Sequence, residues 1–230
     1  MPPPPTRYSA AELAVRIKET LQAGGTGMAN AAQVGLELGP DHPLLHITHW
    51  HYRQTLHEPW CLDLRASGGN IPDLSTLLMQ RASFWQRDGV LGFHALSGLI
   101  QSCAEVDDSD DLFHYTFTLV PALERLSYSR RERVFQRVNA VEVAQAVLAE
   151  HGLQPVELRE LPPDVARWRH LSQHRDASAP HLFETDLHFV RRILAAEGLS
   201  LWLEPDAEDG QERLLIGRAG LGARNAKPQP

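Results

Sequence analysis

Lysine is almost missing from this chain: of its 22 basic residues only Lys18 and Lys227 are lysines, and arginine carries the rest of the positive charge. Acidic residues number 29, for a formal charge of -7. That balance argues against a nucleic-acid partner, because sequence-independent affinity for phosphate comes from clustered Lys and Arg. Cysteine is equally scarce. Cys61 and Cys103 fall in separate predicted strands and match no metal-ligand spacing, so in a reducing compartment they read as buried thiols rather than a disulfide. No apolar run approaches the roughly 20 residues that span a bilayer, and no membrane anchor is expected. The first residues, Met1 to Arg7, lack the charged and apolar regions of a signal peptide, which leaves cytoplasmic residence as the expectation. The Gly-x-Ser-x-Gly elbow, a phosphate-binding glycine loop and a Cys-His pair in a recognisable context are also missing.

What is present fits a globular protein. The 230 residues, 43% hydrophobic and 22% charged, suit one large domain or two small ones. Residues 1–27 read as a detachable extension: a proline run, then a helix with Leu13, Ile17 and Leu21 on one face, stopped by Gly24-Gly25-Thr26-Gly27. Met28 follows and is an alternative start. From Ala31 the period changes to strands. Stretches at Val34–Leu38, Leu44–Trp50, Pro59–Ala66, Ala82–Gln86, Val90–Cys103 and Leu112–Val120 alternate apolar with polar residues, with a helical turn around Asp73–Met79 and a hairpin signal at Arg87-Asp88-Gly89. Trp60, Leu62 and Leu64 share one strand face; Phe113, Tyr115, Phe117 and Leu119 share another. Short strands joined by turns predict a curled sheet or small barrel. After Pro121, two capped helices are expected. One follows Asn139 and Glu142 and ends at Gly152; the other is capped by Thr185 or Asp186 and ends at Gly198, ahead of a strand carrying Leu199, Leu201 and Leu203. Residues 217–230 show no apolar periodicity and read as a disordered tail.

His49 and His51 share a strand face and could approach a metal ion, but a regular strand turns His46 away, and no cysteine completes the set. His170 and His174 have helical spacing without the glutamate of a zinc protease. Glu105, Asp107, Asp108, Asp110 and Asp111 lack the central glycine and closing glutamate of a calcium loop and read as a solvated hairpin tip. Glu184 and Asp186 lie two apart at a helix start, where the helix dipole favours carboxylates, and are expected to cap the helix. No catalytic, cofactor-binding or metal-ligating residue is assigned.

Two segments carry a family resemblance: Arg133-Val-Phe-Gln136 leading into Asn139–Gly152, and Phe183-Glu-Thr-Asp186 leading through Gly198 to Glu204, with Leu119–Leu126 as a third match. Their order and spacing resemble the Vgr proteins, spike hubs of bacterial type VI secretion related to baseplate hubs and late control proteins of contractile phage tails. The resemblance implies a β-dominated α+β fold of two barrel-like tube domains with short helices, at 28–126 and 127–216, the second incomplete. It also implies a non-enzymatic, structural hub: a homotrimer bridging a hexameric tube protein to spike or effector proteins, made in the cytoplasm and exported within an injection apparatus. Alternatives are a monomeric adaptor that binds an effector, a truncated hub fragment and a cell-wall hydrolase. Core positions expected to matter are Phe135, Phe189, Leu201 and Trp202. Asp176–His181 looks inserted relative to the family, and Gln80-Arg81 replaces a glycine turn expected before Ala82.

Overall fold

A computed structural model describes residues 34–218, apart from 40–41, 44, 56–57, 89–91, 107–112, 154–155, 162–168, 177, 180–181 and 206–211. The expected N-terminal helix, the acidic stretch from Asp107 to Asp111 and the tail from 219 lie outside the described residues. The chain divides into two compact units, one of residues 1–121 with 205–212, the other of 122–204 with 213–230.

In the first unit, β1 (Val34–Glu37), β2 (Leu45–Arg53), β3 (Cys61–Gly68), β4 (Arg81–Asp88), β5 (Gly92–Val106) and β6 (Phe113–Val120) close into an antiparallel barrel. The strand order is β1-β2-β3-β6-β5-β4, with β1 pairing β4 to seal it. Period-two patterning explains the interior, since successive side chains of a strand point to opposite faces. Leu62, Leu64 and Ala66 stand opposite Leu119, Phe117 and Tyr115 across β3 and β6, and all six are buried. The intervening pair Asp63 and Thr118 faces outward, and the Thr118 hydroxyl donates to Asp63 Oδ1 at 3.0 Å. Two tryptophans fit on opposite faces of the barrel wall only because glycines leave room, Trp60 beside Gly98 within it and Trp85 over Gly35 on the outer face that also carries His46. A Cβ on Gly35 would sit 2.4 Å from the Trp85 ring, and one on Gly98 2.6 Å from the Trp60 ring. The hydroxyl of the buried Tyr115 accepts from the Ile71 amide at 3.0 Å and donates to the Gly69 carbonyl at 3.2 Å. It thereby pins the chain entering the 3-10 turn Leu74–Leu77, which Asp73 caps through the Ser75 amide.

The glycine turn expected before Ala82 has a local substitute. Met79 adopts the left-handed conformation, φ 61°, its amide donates to Ile100 O at 2.8 Å, and the Ile100 amide donates to Gln80 O at 3.0 Å. These two ladder bonds hold a residue that lacks glycine's freedom in the geometry the re-entry to β4 requires.

The second unit contains β7 (Val134–Val138), α1 (Ala140–Glu150), β8 (Val156–Arg159), β9 (Arg169–Ser172), α2 (Asp186–Ala195), and most of β10 (Leu199–Pro205) and β11 (Glu212–Arg218). Asn139 and Glu142 form a complete capping box at the start of α1. Thr185 caps α2 through the His188 amide. Gly152 (φ 71°) and Gly198 (φ 69°) follow the two helices in the left-handed region. Where a second barrel was expected, the described residues form a three-stranded sheet, β10-β11-β8, and a two-stranded sheet, β7-β9. Within the three-stranded sheet, β8 runs parallel to β11.

The core of this unit joins Val143, Val147 and Leu148 of α1 to Phe189, Val190 and Ile193 of α2 and to Leu199, Leu201, Leu214 and Ile216 of the sheet. Phe135 stacks on Phe189 with centroids 6.1 Å apart and planes 12° apart. Of the four expected core residues, Phe189 and Leu201 are buried, whereas Phe135 and Trp202 are half-buried. Trp202 keeps its indole N–H at Glu204 Oε1, 3.0 Å away, which accounts for its partial exposure. Replacing Phe189 by Ala is expected to destabilise this unit by about 3–5 kcal/mol. Urea unfolding followed by far-UV circular dichroism measures it, and an unchanged midpoint would contradict the placement.

Candidate functional site

Helix α2 begins with a carboxylate turned into the protein. Asp186, 0% exposed, follows the Thr185 cap, and its own amide donates to Ser129 O at 2.8 Å. Its side chain gathers three distant stretches of chain. Arg133, just ahead of β7, grips it in bidentate fashion, with Nη2 at 3.1 Å from Oδ2. His151, the C-cap of α1, places Nε2 2.8 Å from Oδ2. Gln173, just past β9, donates from Nε2 to Oδ1 at 2.8 Å. Burial pushes the Asp186 carboxyl up, but the hydrogen bonds from Arg133, His151, Ser129 and Gln173 outweigh it and hold the group down at about 2. An ionised carboxylate only accepts, so His151 Nε2 carries the proton. Arg133 also reaches Glu150 Oε2 at 2.6 Å, and Arg131 meets the same oxygen at 2.9 Å.

Glu184 makes a second hub beside the first. Its two oxygens take Arg192 Nη2 at 2.6 Å and Nε at 3.1 Å, and Oε1 also accepts from the His174 amide at 2.8 Å. Burial raises its pKa, and Arg192 with the His174 amide brings it below the usual carboxylate range. Arg192 Nη2 further donates to Ser172 O at 2.8 Å, tying α2 to the end of β9. Glu184 and Asp186 therefore do not cap the helix, as the sequence led one to expect; Thr185 between them does. The two acids point inward because Arg133, just ahead of β7, and Arg192 of α2 meet them there, a fact that helix-dipole reasoning does not contain.

This arrangement can hold the fold but is not set up for turnover. Ser129, His151 and Asp186 supply the residue types of a hydrolase triad. In a triad, however, the imidazole lies between nucleophile and acid, whereas here Ser129 and His151 both bond to Asp186. The other sequence candidates are also placed. A β-bulge between Ile47 and His49 pairs His46 with Ser67, His49 with Arg65 and His51 with Asp63. The extra residue reverses strand parity, so His46 lies on the same outer face as His49 and His51, not the opposite one. The Arg65 position interrupts the row, and among the described residues no group of three or more His, Cys, Asp or Glu could hold a metal ion. His170 lies in β9 and His174 beyond it, so they share no helix face. Cys61 and Cys103 are free thiols, pushed up by burial. Glu105 is exposed near the end of β5, and the rest of the acidic run lies outside the described residues. The inward ion-pair hubs were missed from sequence; the paired signals Arg133 and Gln173 gain meaning only once β7 and β9 are seen side by side.

Two carboxylates give pH dependences of opposite sign. Asp186 is held below its ordinary 3.8, at about 2; it contributes about 2 kcal/mol above pH 4, lost as pH falls through 2. Asp186→Asn should abolish that acid-limb dependence and, by leaving Arg133 without its counter-charge, lower stability at pH 7 by about 3–5 kcal/mol. In the first unit, Glu212 accepts from the buried Trp60 indole, and burial, against the pull of Trp60 and Arg81, pushes its carboxyl up to about 7. The stability tied to its neutral form is complete below pH 4.5 and is lost as pH rises through 7, by about 3 kcal/mol. Glu212→Gln should flatten the decline between pH 6 and 8 in urea titrations; a parallel decline in the variant would contradict the assignment.

The family model for the phage tail baseplate hub (GPD) matches residues 46–230. Among curated relatives, the type VI secretion system spike protein VgrG3 of Vibrio cholerae is 34% identical over 113 residues, 49% of this chain and 10% of that protein. VgrG5 of Pseudomonas aeruginosa is 31% identical over 149 residues, 64% of this chain and 18% of that protein. The chain thus spans a small part of the curated relatives it matches. Among solved structures, the E. coli c3393 protein, a component of the type VI secretion system with structural similarity to phage T4 tail proteins gp27 and gp5, superposes with a TM-score of 0.68 at 20% identity, over 82% of this chain and 50% of that one. The Francisella PdpA–VgrG complex gives a TM-score of 0.56 at 8% identity, over 94% of this chain and 33% of that one. The chain belongs to the phage tail baseplate hub family, and its β-barrel-containing fold is similar to that of a type VI secretion system component.

Proposed function

We propose that copies of this chain trimerise into a collar that bridges a hexameric tube to a spike. The family assignment over residues 46–230 carries the reading. Its physical support is the asymmetry of the first unit. The barrel is closed at β1 and β4, but its longest strands, β2 and β5, run past those partners and leave unpaired edges among the described residues. Exposed edges of this kind are a liability for an isolated protein and an asset for one that assembles. Residues 28–126 would form the first hub domain and 127–216 part of a second, whose two small sheets would be completed by further strands. Spike or effector proteins are the expected partners on the far side, in keeping with the PdpA–VgrG complex among the structural neighbours. Assembly would begin in the cytoplasm and end with export in the apparatus. No cofactor or catalytic residue enters the mechanism. Its work is mechanical, and the buried ion pairs around Asp186 and Glu184 keep the second unit rigid under load.

Native mass spectrometry of the full chain at tens of micromolar is the test. A discrete three-chain species is expected. A monomer across that concentration range would contradict the collar and favour a monomeric adaptor.

A further inference from the structure

Past its bulge, β2 turns two aromatic side chains toward the barrel interior. Trp50 and Tyr52 stand opposite Leu64 and Leu62 of β3, both of them buried, so the two rings share the inward parity. They nevertheless remain 48% and 38% open to solvent. The pairing explains why: β1 meets β2 only at Leu45 and His46, and among the described residues β2 runs on to Arg53 against β3 alone. The interior of the barrel is therefore open to water beside Trp50 and Tyr52.

Buried rings and one acid lie behind this opening. The Trp50 ring is 5.8 Å from that of Phe84, tilted by 51°, and the Tyr52 ring is 6.1 Å from that of Trp60, tilted by 33°. Phe84 and Trp60 are both buried. The Trp60 indole donates to Glu212 Oε1, and burial followed by the nearby Glu212 carboxylate raises the pKa of the Tyr52 hydroxyl. All of these residues belong to the first unit. Side chains two apart on one strand face rise about 6.7 Å from each other, a spacing that admits one planar group between two rings.

The chemistry of the site favours a cation. Aromatic faces attract positive charge through the ring quadrupole, and a carboxylate drawn out of water gains from a cation brought to it. Among the described residues, the charged and titratable groups that act on Glu212 and its surroundings are Arg81, exposed at the start of β4 and acting through space, and the Tyr52 hydroxyl. A guanidinium is planar, always charged, stacks on aromatic faces and meets a carboxylate with a fork of N–H donors. It matches two rings above one acid better than a compact ammonium does.

We propose that Trp50, Tyr52, Trp60 and Glu212 form a receptor for an arginine side chain of a partner protein, whose guanidinium enters between Trp50 and Tyr52 and donates to Glu212. The site goes beyond the collar reading and does not depend on it.

The experiment titrates the full-length chain, isotope-labelled at its tryptophan indoles, with N-acetyl-arginine amide and follows the Trp50 indole signal by NMR, assigned through Trp50→Phe. Saturable binding in the millimolar range is expected, with the neutral isostere N-acetyl-citrulline amide at least about ten-fold weaker and N-acetyl-lysine amide between them. Because burial pushes the Glu212 carboxyl up to about 7, its ionised fraction rises from about a tenth at pH 6 to about nine tenths at pH 8, and arginine affinity should rise about nine-fold over that range. Glu212→Gln, which keeps an acceptor for Trp60, should remove the rise and weaken binding at pH 8 about ten-fold. No saturable shift up to about 50 mM, citrulline binding as tight as arginine, or an unchanged pH profile in Glu212→Gln would each overturn the proposal and leave the collar standing. If Glu212→Gln fails to fold, Trp50→Ala at its half-exposed position serves: undiminished affinity there, read by calorimetry, overturns the proposal.

Discussion

The second unit hangs on one constraint: an ionised carboxylate with no exposure to water must be neutralised from all sides. Asp186 meets that requirement by drawing Arg133, His151 and Gln173 to a single point. Those residues adjoin the start of β7, the end of α1 and the end of β9, so satisfying one charge fixes the mutual placement of a sheet and two helices. Removing a partner from a buried pair costs far more than the pair itself contributes, which makes the cluster a specifier of geometry more than a source of net stability. Glu184 and Arg192 repeat the device one turn away, binding α2 to β9. The apolar core beneath, with Phe135 stacked on Phe189, supplies the bulk of the burial.

The barrel obeys a different constraint, that of volume. Trp85 and Trp60 occupy space that only Gly35 and Gly98 leave open, and the inward row of β3 meets the inward row of β6 residue for residue. Among the described residues, β2 and β5 of the same barrel run on beyond their pairing with β1 and β4.

Much of this was legible in the amino-acid order because it is local. The Asn139–Glu142 capping box, the glycines that end both helices and the alternation of Leu62 with Leu119's row depend on neighbours in sequence, and each is where periodicity puts it. What escaped depends on distant chain. The bulge after Ile47 turns His46 onto the face of His49 and His51, and no residue type announces it. Met79 takes the left-handed turn expected of a glycine because two backbone bonds to Ile100 hold it. Asp186 and Glu184 read as cap residues because the arginines that claim them lie on other elements or turn inward from the same one. In the second unit, the parallel pairing of β8 with β11 joins residues about sixty positions apart, beyond the reach of pattern reasoning. The resemblance in Arg133–Gly152 and Phe183–Glu204 reached the family for a related reason: those segments contain both the hubs and the caps.

The proposed function makes this chain an assembly component whose collar would seat on a hexameric tube. The most direct measurement is co-sedimentation of the purified full-length chain with a hexameric tube protein of a contractile injection system. Joint migration at three copies of this chain to six of the tube protein is the expected result. Separate migration at tens of micromolar, with both proteins folded, would contradict the account.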